Sequence, residues 1–192
     1  MTPDTQNPEI EEEAQSGTRR MRVYRAEEGV ELSADIMRHE GITPVEAAAR
    51  QREAASGLTS GHFVRVLFRD EHSGMSVAYA WFKPNYVLPR HSHDVDCLYH
   101  VISGSISLGS EVIGPGDGFF VPADVNYTYA AGSEGVELVE FRTATTFNMI
   151  VSNPPQAWQK ILDVKLDHRD VWREAEPPPA AVRMGARRLS AG

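Results

Sequence analysis

The sequence has a single cysteine, an excess of negative charge and no long apolar segment. With one cysteine among 192 residues, no disulfide can form within the chain. The formal net charge of −8 argues against nucleic-acid binding, because a protein that binds nucleic acid needs a basic patch for the phosphates. No apolar run approaches the roughly 18 residues that cross a bilayer. With 41% hydrophobic and 24% charged residues, the composition is typical of one globular domain with additional segments.

The two ends of the chain are predicted to lie outside the folded domain. Residues 1–18 carry five acidic residues, no Lys or Arg, and too little apolar content to form a core, so we expect a disordered tail. A secretory signal begins with basic residues and continues with an apolar stretch, which this tail does not resemble, so we expect a cytoplasmic location. A run of three prolines starts at Pro177, and residues 177–192 are predicted to form a loose tail.

Residues 19–60 are predicted to contain one strand and one helix that pack on the main domain. Residues 21–24 alternate in polarity, which is typical of an edge strand. A helix is expected to begin after Thr43, because Thr43 can cap it, Pro44 suits its first position and Glu46 follows the cap by three residues.

Residues 61–152 show the period of two that is typical of strands. The apolar segments are short, rich in Val, Ile, Phe and Tyr, and separated by Gly, Pro, Asn or Asp, which indicates a sandwich or a barrel. The predicted strands are residues 62–69, 75–83, 98–103, 105–108, 118–122, 127–131 and 136–143. A C-terminal helical segment is expected at residues 153–176, with a helix that continues to about residue 165.

The most informative segment contains two histidines that are two residues apart, His91 and His93. On an extended strand, residues i and i+2 point to the same face and lie roughly 6.5 Å apart, so both imidazoles can reach one metal ion. Cys97 follows four residues after His93, and Gly104 follows seven residues after Cys97.

A second motif begins at Gly116 and continues through Pro122 to Tyr127. Together the two segments resemble the signatures of the cupin family. The first signature is His-x-His, a short spacer, Glu, six residues and Gly; the second is Gly, five residues, Pro-x-Gly, two residues and His. Cys97 stands at the Glu position and Tyr127 at the final His position. Asp124 stands at the Gly position of the tight turn, where Asp tolerates the unusual backbone.

The resemblance implies an all-β dominated fold, the cupin double-stranded β-helix or jelly-roll barrel, with a short N-terminal helix and a C-terminal helix. It also implies a cavity lined by inward-facing residues. The metal site of the family, carried over by position, falls on His91, His93, Cys97 and Tyr127. The expected cofactor is a divalent transition metal, among which Fe, Zn, Mn, Ni and Cu are not distinguished.

Cys97 admits three interpretations. A thiolate is a soft metal ligand, and a bound metal would lower the thiol pKa enough to form it at neutral pH. A free cysteine is more often a small buried residue without reactivity. The cysteine dioxygenases, which are also cupins, carry a Cys near this position that is joined covalently to a Tyr. Tyr99, Tyr127 and Tyr129 are the possible partners in this chain.

Tyrosines are the candidates for acid–base chemistry in the cavity. Tyr127 and Tyr129 are expected to move a proton during catalysis. Tyr127 can alternatively be a wall residue whose hydroxyl bonds to a substrate or to His91. The predicted substrate pocket comprises Trp81, Tyr99, Phe119 and Glu140.

Glu140 is a carboxylate on a predicted apolar face. It shares that face with Val136 and Leu138, so a regular strand would turn it into the interior, where a carboxylate needs a metal or a cation as partner. His62, on an earlier strand, is another group that could complete a metal site.

These residues support two functional hypotheses. In the first, the protein is a metal-dependent cupin enzyme of the dioxygenase, isomerase, lyase or cyclase type, with the metal held by His91 and His93 and a small organic molecule as substrate. In the second, it is a non-catalytic binding cupin with a degenerate, metal-free site, because two of the four ligand positions are replaced. The fold alone does not choose between them.

A homodimer is the expected assembly. Leu98, His100 and Ile102 share the face of their strand that is opposite to Cys97. They would form part of a surface on which two barrels pair.

Overall fold

The computed structural model describes residues 20–57 and 61–187 of the chain. A short 3-10 helix, Ala26–Glu28, precedes the first strand. The strands of the described residues are β1 (Val30–Glu31), β2 (Met37–Arg38), β3 (His62–Asp70), β4 (Met75–Phe82), β5 (His91–His93), β6 (Cys97–Leu108), β7 (Glu111–Ile113), β8 (Gly118–Val121), β9 (Ala130–Arg142) and β10 (Phe147–Val151). The α-helices are α1 (Pro44–Ala55), α2 (Pro155–Glu174) and α3 (Pro179–Arg183).

The strands form a larger and a smaller sheet. The larger sheet follows the order β1-β3-β4-β9-β6-β7, and β8 joins it by pairing with β6; the smaller sheet has the order β2-β10-β5. Strand β6 pairs with two strands along one edge: its first half pairs with β8 and its second half with β7. Its other edge pairs with β9. This arrangement confirms the predicted cupin jelly-roll barrel.

The two faces of β6 have opposite environments. Cys97, Tyr99 and Val101 are buried in the core of the barrel, while Leu98 and Ile102 between and beyond them are exposed. This alternation follows from the pleat of the strand and places Cys97 on the inner face.

A single strand replaces the two strands that the sequence predicts at residues 98–103 and 105–108. Strand β6 continues through Gly104, where its pairing with β9 shifts register on either side. Gly104 has a φ of +73°, and a Cβ atom there would lie 2.1 Å from the carbonyl oxygen of Gly135 on β9. Glycine therefore meets both requirements, the left-handed backbone and the close approach of two strands.

The turn of the second motif has the backbone that its residues predict. Asp124 adopts a φ of +63°, the left-handed conformation that Asp tolerates better than most residues. Its N–H donates to the carbonyl oxygen of His93 at 2.7 Å, so this turn is attached directly to β5.

Several short strands differ from those that the sequence pattern predicts. Strand β5 consists of three buried residues in a polar sequence and pairs with β10, so neither its composition nor an alternation predicts it. Residues 21–24 are not a strand, and the edge of the larger sheet is β1 instead. The strand predicted at residues 127–131 is reduced to the first residues of β9 and an isolated bridge between His91 and Tyr127.

The two longer helices pack on each other beside the barrel. Helix α1 begins as predicted, with the Glu46 N–H donating to Thr43 Oγ1 at 3.1 Å. Helix α2 extends beyond the predicted end near residue 165, because its last turn carries Trp172, which is fully buried in the barrel core and donates from Nε1 to the Pro84 carbonyl oxygen at 2.8 Å. None of the helices in the described part of the chain is long and apolar enough to span a membrane.

The described part of the predicted loose tail, residues 177–187, contains a helix. Helix α3 lies on the outer face of β4, and its Ala181, together with Met184, packs against Tyr79 and Trp81. Tyr79 and Trp81 alternate with the inward-facing residues of β4 and therefore point away from the barrel interior. The segment that contains α3 covers this apolar outer face. The predicted disordered tail at residues 1–18 lies outside the described residues.

Substitution of Gly104 by Ala tests the close approach of β6 and β9 at Gly104. We expect Gly104→Ala to lower the free energy of unfolding by about 3 kcal/mol or more, from the left-handed backbone and from the contact with Gly135. Gly109→Ala is the matched control, because Gly109 also has a positive φ, +63°, but no atom lies within 4 Å of its Cβ position. Its cost should stay near 1 kcal/mol. Urea denaturation measures both, and equal losses in the two variants would contradict the proposed close approach.

Candidate active site

A cavity of about 640 Å³ runs from the interior of the barrel towards the two longer helices. Its barrel end is lined by two histidines, three tyrosines and an ion pair: His91, His93, Tyr99, Tyr127, Tyr129, Glu140 and Arg142. Its helical end is lined by Glu53 of α1 and Lys165 of α2. The size suits a small organic molecule.

The imidazoles of His91 and His93 are oriented by backbone carbonyl groups. The Nδ1 atom of His91 lies 2.7 Å from the Pro89 oxygen, and the Nδ1 atom of His93 lies 2.8 Å from the Asn148 oxygen. A carbonyl oxygen only accepts, so each Nδ1 carries a proton and each neutral ring keeps its lone pair on Nε2. The ring centroids are 5.0 Å apart, so the chain places the two rings side by side as the motif predicts.

Both histidines are neutral at pH 7. Burial lowers the pKa of His91 to about 4, although the hydrogen bond to Pro89 opposes this, and the charge of Arg142 lowers it further. Burial likewise lowers the pKa of His93 to about 3, with Arg142 as the next cause. Burial also raises the pKa of Tyr99 and of Tyr127, so both phenols stay protonated.

The hydroxyl groups of Tyr127 and Tyr99 extend in a chain from His91. Tyr127 Oη lies 2.9 Å from His91 Nε2 and is the donor, since the neutral ring has its proton on Nδ1. The Tyr127 hydroxyl has then used its one proton, so the Tyr99 hydroxyl, which contacts it, donates to the Tyr127 oxygen. The protons therefore have one arrangement, directed from Tyr99 through Tyr127 to His91.

Glu140 and Arg142 form a buried ion pair on the inner face of β9, each with 5% of its surface exposed. A spacing of two residues puts both side chains on one face of the strand. The Arg142 guanidinium also stacks on the ring of Phe147 from β10, with Cζ 4.3 Å from the ring centroid. The cation that Glu140 needs is therefore supplied by the chain.

Arg142 is the residue that the sequence analysis missed. The alternation that turns Val136, Leu138 and Glu140 inward continues by two residues to Arg142, within the predicted strand 136–143. The inward direction of Arg142 was thus available from the same pattern as that of Glu140.

Cys97 is a free, buried thiol on β6. Its Sγ lies 3.6 Å from the carbonyl oxygen of Val95, to which it donates. Burial raises the pKa of the thiol, which favours the protonated form over the thiolate that binds metals.

The remaining predicted pocket residues have different positions. Trp81 does not line the cavity but lies on the outer face of β4, because it alternates with the inward-facing Ala80 and Phe82. Phe119 stacks on Tyr99 with a centroid distance of 4.5 Å and supports that ring from within the core. His62 lines the cavity beside Phe82 and Tyr86, away from the histidine pair.

The donor set does not fit the metal that the fold family implies. Among the described residues, no group of three or more His, Cys, Asp or Glu side chains could hold a metal ion. The other two predicted ligand positions hold a protonated thiol, Cys97, and a hydroxyl, Tyr127, that already donates to His91. The charge of Arg142 acts on all four positions and opposes a second cation among them.

Two buried hydrogen-bond donors in the cavity wall lack a partner in the part of the chain that the structure describes. They are the hydroxyl of Tyr129 and the Nε–H of Arg142; a third such atom, Asn153 Nδ2, does not line the cavity. An unpartnered buried polar group destabilises a fold by about 1–3 kcal/mol. These two donors are therefore positions at which a bound molecule would stabilise the protein.

Comparison with known proteins finds similar chains among solved structures. No protein-family model and no curated protein sequence matches the chain. Among solved structures, KdgF from Halomonas sp. is 19% identical, with 43% of this chain and 79% of that chain covered and a TM-score of 0.38. A protein of unknown function with a cupin-like fold from Ralstonia eutropha is 20% identical, with 60% and 80% covered and a TM-score of 0.42.

A variant of oxalate decarboxylase from Bacillus subtilis is 18% identical to the chain, with a TM-score of 0.40. The match covers 44% of this chain and 26% of that protein, so the chain spans about a quarter of its length. The strand order and the two motifs assign the chain to the cupin fold, and similarity at this level of identity concerns the fold alone.

The stability of the protein should fall as the pH falls from about 6.5 towards 4. His91 and His93 take up a proton near pH 6.5 when unfolded but only near pH 4 and pH 3 when folded, so the unfolded state binds more protons in this window. Each group then removes up to about 1.4 kcal/mol of unfolding free energy per pH unit, and about half of that at pH 6.5, where only half of the unfolded molecules carry the proton. Urea denaturation between pH 5 and pH 7 measures the slope.

The variant His93→Gln isolates one of these groups. It removes one titrating imidazole, so its pH slope should be shallower than that of the wild type by up to about 1.4 kcal/mol per pH unit, with the largest difference near pH 5. His100→Gln, a substitution at an exposed position of β6, is the control and should keep the wild-type slope. Identical slopes for His93→Gln and the wild type would show that the folded ring titrates normally.

Proposed function

We propose that the protein is a cupin enzyme that transfers a proton on a small organic molecule in the barrel cavity, without a bound metal. The observation that carries this proposal is the hydrogen-bonded chain from Tyr99 through Tyr127 to His91, in which every proton has one position. A chain of this kind ends on a neutral base and begins on a hydroxyl in the cavity wall.

The step balances without any external reagent. A proton leaves the substrate for the Tyr99 oxygen, the Tyr99 proton moves to Tyr127, and the Tyr127 proton moves to His91 Nε2. The products are the substrate anion and a His91 imidazolium. Return of the proton to a different atom of the substrate gives an isomerisation, and loss of a leaving group from the anion gives an elimination.

The energetics limit the substrate to molecules whose proton is already acidic. With a pKa of about 4, His91 holds a proton at pH 7 only at a cost of about 4 kcal/mol. When the proton comes from a phenol, or from a carbon between two carbonyl groups, the total activation free energy of the proton transfer stays within the range that an enzyme can overcome. The nearby guanidinium of Arg142 would stabilise the substrate anion.

This chemistry favours the isomerase, lyase or cyclase types over the dioxygenase type. Oxygenases commonly use a bound redox centre, and the donor set around His91 and His93 does not fit a metal. The predicted proton carrier Tyr127 keeps its role. Tyr129 takes a different role, because no hydrogen bond joins it to the chain among the described residues.

A metal-dependent enzyme is the second candidate. It is favoured by the Nδ1–H bonds of His91 and His93 to backbone carbonyl oxygens, which are typical of metal-binding histidines. A non-catalytic binding protein would use the same cavity without the proton chain.

A homodimer remains our expectation for the assembly, because Leu98 and Ile102 are exposed and Phe120 and Phe141 flank Leu98 on the neighbouring strands. The cytoplasmic location also remains a proposal.

Metal analysis distinguishes the two catalytic candidates. Protein incubated with Fe, Zn, Mn, Ni or Cu and then dialysed should retain under roughly one tenth of an equivalent of any of them, because two neutral imidazoles beside a guanidinium form a weak site. Elemental analysis measures the content. One equivalent that is lost in His91→Ala, but retained in the surface control His100→Ala, would contradict a metal-free site.

Proton exchange tests the catalytic chain. The probe is ethyl 2-methylacetoacetate, whose C2 proton lies between two carbonyl groups and can be followed by proton NMR in D₂O. We expect protein treated with EDTA to accelerate loss of this signal, and Tyr127→Phe to reduce the acceleration by about 10²-fold or more, because the chain to His91 is interrupted.

Tyr79→Phe is the control for this experiment, since Tyr79 lies outside the barrel interior and donates to Glu137 at 2.6 Å. It should exchange the probe as the wild type does. Equal rates with and without protein, or equal rates for Tyr127→Phe and the wild type, would refute the proton chain as the catalytic group.

A further inference from the structure

The unpartnered donors of Tyr129 and Arg142 indicate what kind of molecule occupies the cavity. Both residues line the barrel end of the cavity, and both are buried, with 2% and 5% of their surface exposed. Neither the Tyr129 hydroxyl nor the Arg142 Nε–H has an acceptor among the described residues. Buried polar groups in proteins are almost always hydrogen-bonded, so two unpartnered donors in one cavity call for an acceptor from outside the chain.

We propose that an sp² oxygen of the ligand, in a ketone carbonyl or a carboxylate, accepts hydrogen bonds from the Tyr129 hydroxyl and from Arg142 Nε–H. This proposal rests on the proposed function, because it assigns the group that holds the substrate while the chain of Tyr99, Tyr127 and His91 moves its proton.

The surroundings of the two donors support an acceptor and not another donor. Arg142 has no acceptor capacity, and one of its two terminal nitrogens, Nη2, donates to Glu140. Tyr129 lines the same cavity as the ion pair of Glu140 and Arg142, so one ligand can contact the hydroxyl and the guanidinium together. A ligand that offered only N–H groups would leave both donors unpartnered.

The aromatic rings around the donors select an apolar, planar body for the ligand. The Tyr129 ring lies 6.2 Å from that of Tyr99 and 6.3 Å from that of Tyr127, and it meets Phe82 edge-on at 5.8 Å. All four rings line the cavity. Such a wall favours an aromatic or conjugated ligand with its oxygen directed at the ion pair.

Arg142 is the cation in the wall of the cavity that His91, His93 and Tyr127 also line. Its charge acts on these three residues and on Cys97, which are the four positions of the metal site in the family. A guanidinium held by Glu140 and Phe147 is a permanent positive charge, which polarises a bound oxygen as a metal ion would. The altered ligand positions and the added arginine are then parts of one site.

Binding of matched probes tests the proposal. The probes are acetophenone, benzoate and α-methylstyrene, in which a CH₂ group replaces the oxygen of acetophenone at nearly the same shape. Titrations followed by NMR of the protein should show that an oxygen-bearing probe binds roughly 10-fold or more tightly than α-methylstyrene. Preference for benzoate over acetophenone assigns a carboxylate, and the reverse preference assigns a neutral carbonyl.

The variant Tyr129→Phe should fold as the wild type does, so that a change in its binding reports the missing hydroxyl. The Tyr129 hydroxyl has no partner among the residues that the structure describes, so its removal leaves none of their groups unpaired and should not destabilise the protein. We expect it to weaken the preferred oxygen-bearing probe by about 3- to 10-fold and to leave α-methylstyrene unchanged. Tyr79→Phe is the matched control, with the same chemical change outside the cavity and wild-type binding of all three probes.

The proposal would be overturned if α-methylstyrene bound as tightly as both oxygen-bearing probes, or if Tyr129→Phe bound the preferred probe as the wild type does. Absence of binding by both oxygen-bearing probes would also overturn it. Failure of the proposed function would be recognised differently, because Tyr127→Phe would then exchange the proton of the probe as fast as the wild type does. The two results are obtained with different variants and do not depend on each other.

Discussion

The buried ion pair between Glu140 and Arg142 is the interaction on which the whole site depends. Moving two charges into a barrel interior is costly, and their attraction offsets that cost only with good geometry. Here the geometry comes from the strand itself, because the two residues are neighbours on one face of β9. Loss of either partner would leave the other charge unpaired and destabilise the fold by about 3–5 kcal/mol. The pair also lets β9 carry a carboxylate into the core without a metal ion to neutralise it.

The ion pair in turn controls the state of the histidines. A fixed positive charge beside His91 and His93 adds to the effect of burial and keeps both rings neutral, while the carbonyl groups of Pro89 and Asn148 fix their tautomers. The donors and acceptors of the cavity are thereby set by the backbone and by one guanidinium. A site of this kind is preorganised, since no side chain must change protonation state before a ligand enters.

The sequence predicted the barrel well and its contents only in part. Alternation along residues 136–143 and the two motifs around His91 and Tyr127 are local patterns, and they were sufficient for the fold and for the location of the cavity. Trp81 was assigned to the wrong face of β4, because its outer position is buried by α3, a segment too rich in proline to be predicted as structure. Strand β5 and the Tyr99–Tyr127 contact depend on pairing between distant segments, which no local pattern reports. Arg142 was accessible to the same alternation as Glu140, but an inward arginine contradicts the expectation that charges are exposed.

The burial of Trp172 at the end of α2 has a consequence for the order of synthesis. Its ring fills part of the barrel core, and its backbone carbonyl accepts a hydrogen bond from Lys83 Nζ at 2.6 Å. Ribosomes make a chain from the N-terminus at about 5–20 residues per second, so the ten described strands emerge before this residue does. Until then the nascent barrel lacks both the ring that fills this part of its core and the carbonyl that accepts from Lys83. A chain that stalls on the ribosome before Trp172 therefore leaves part of the barrel core exposed to water.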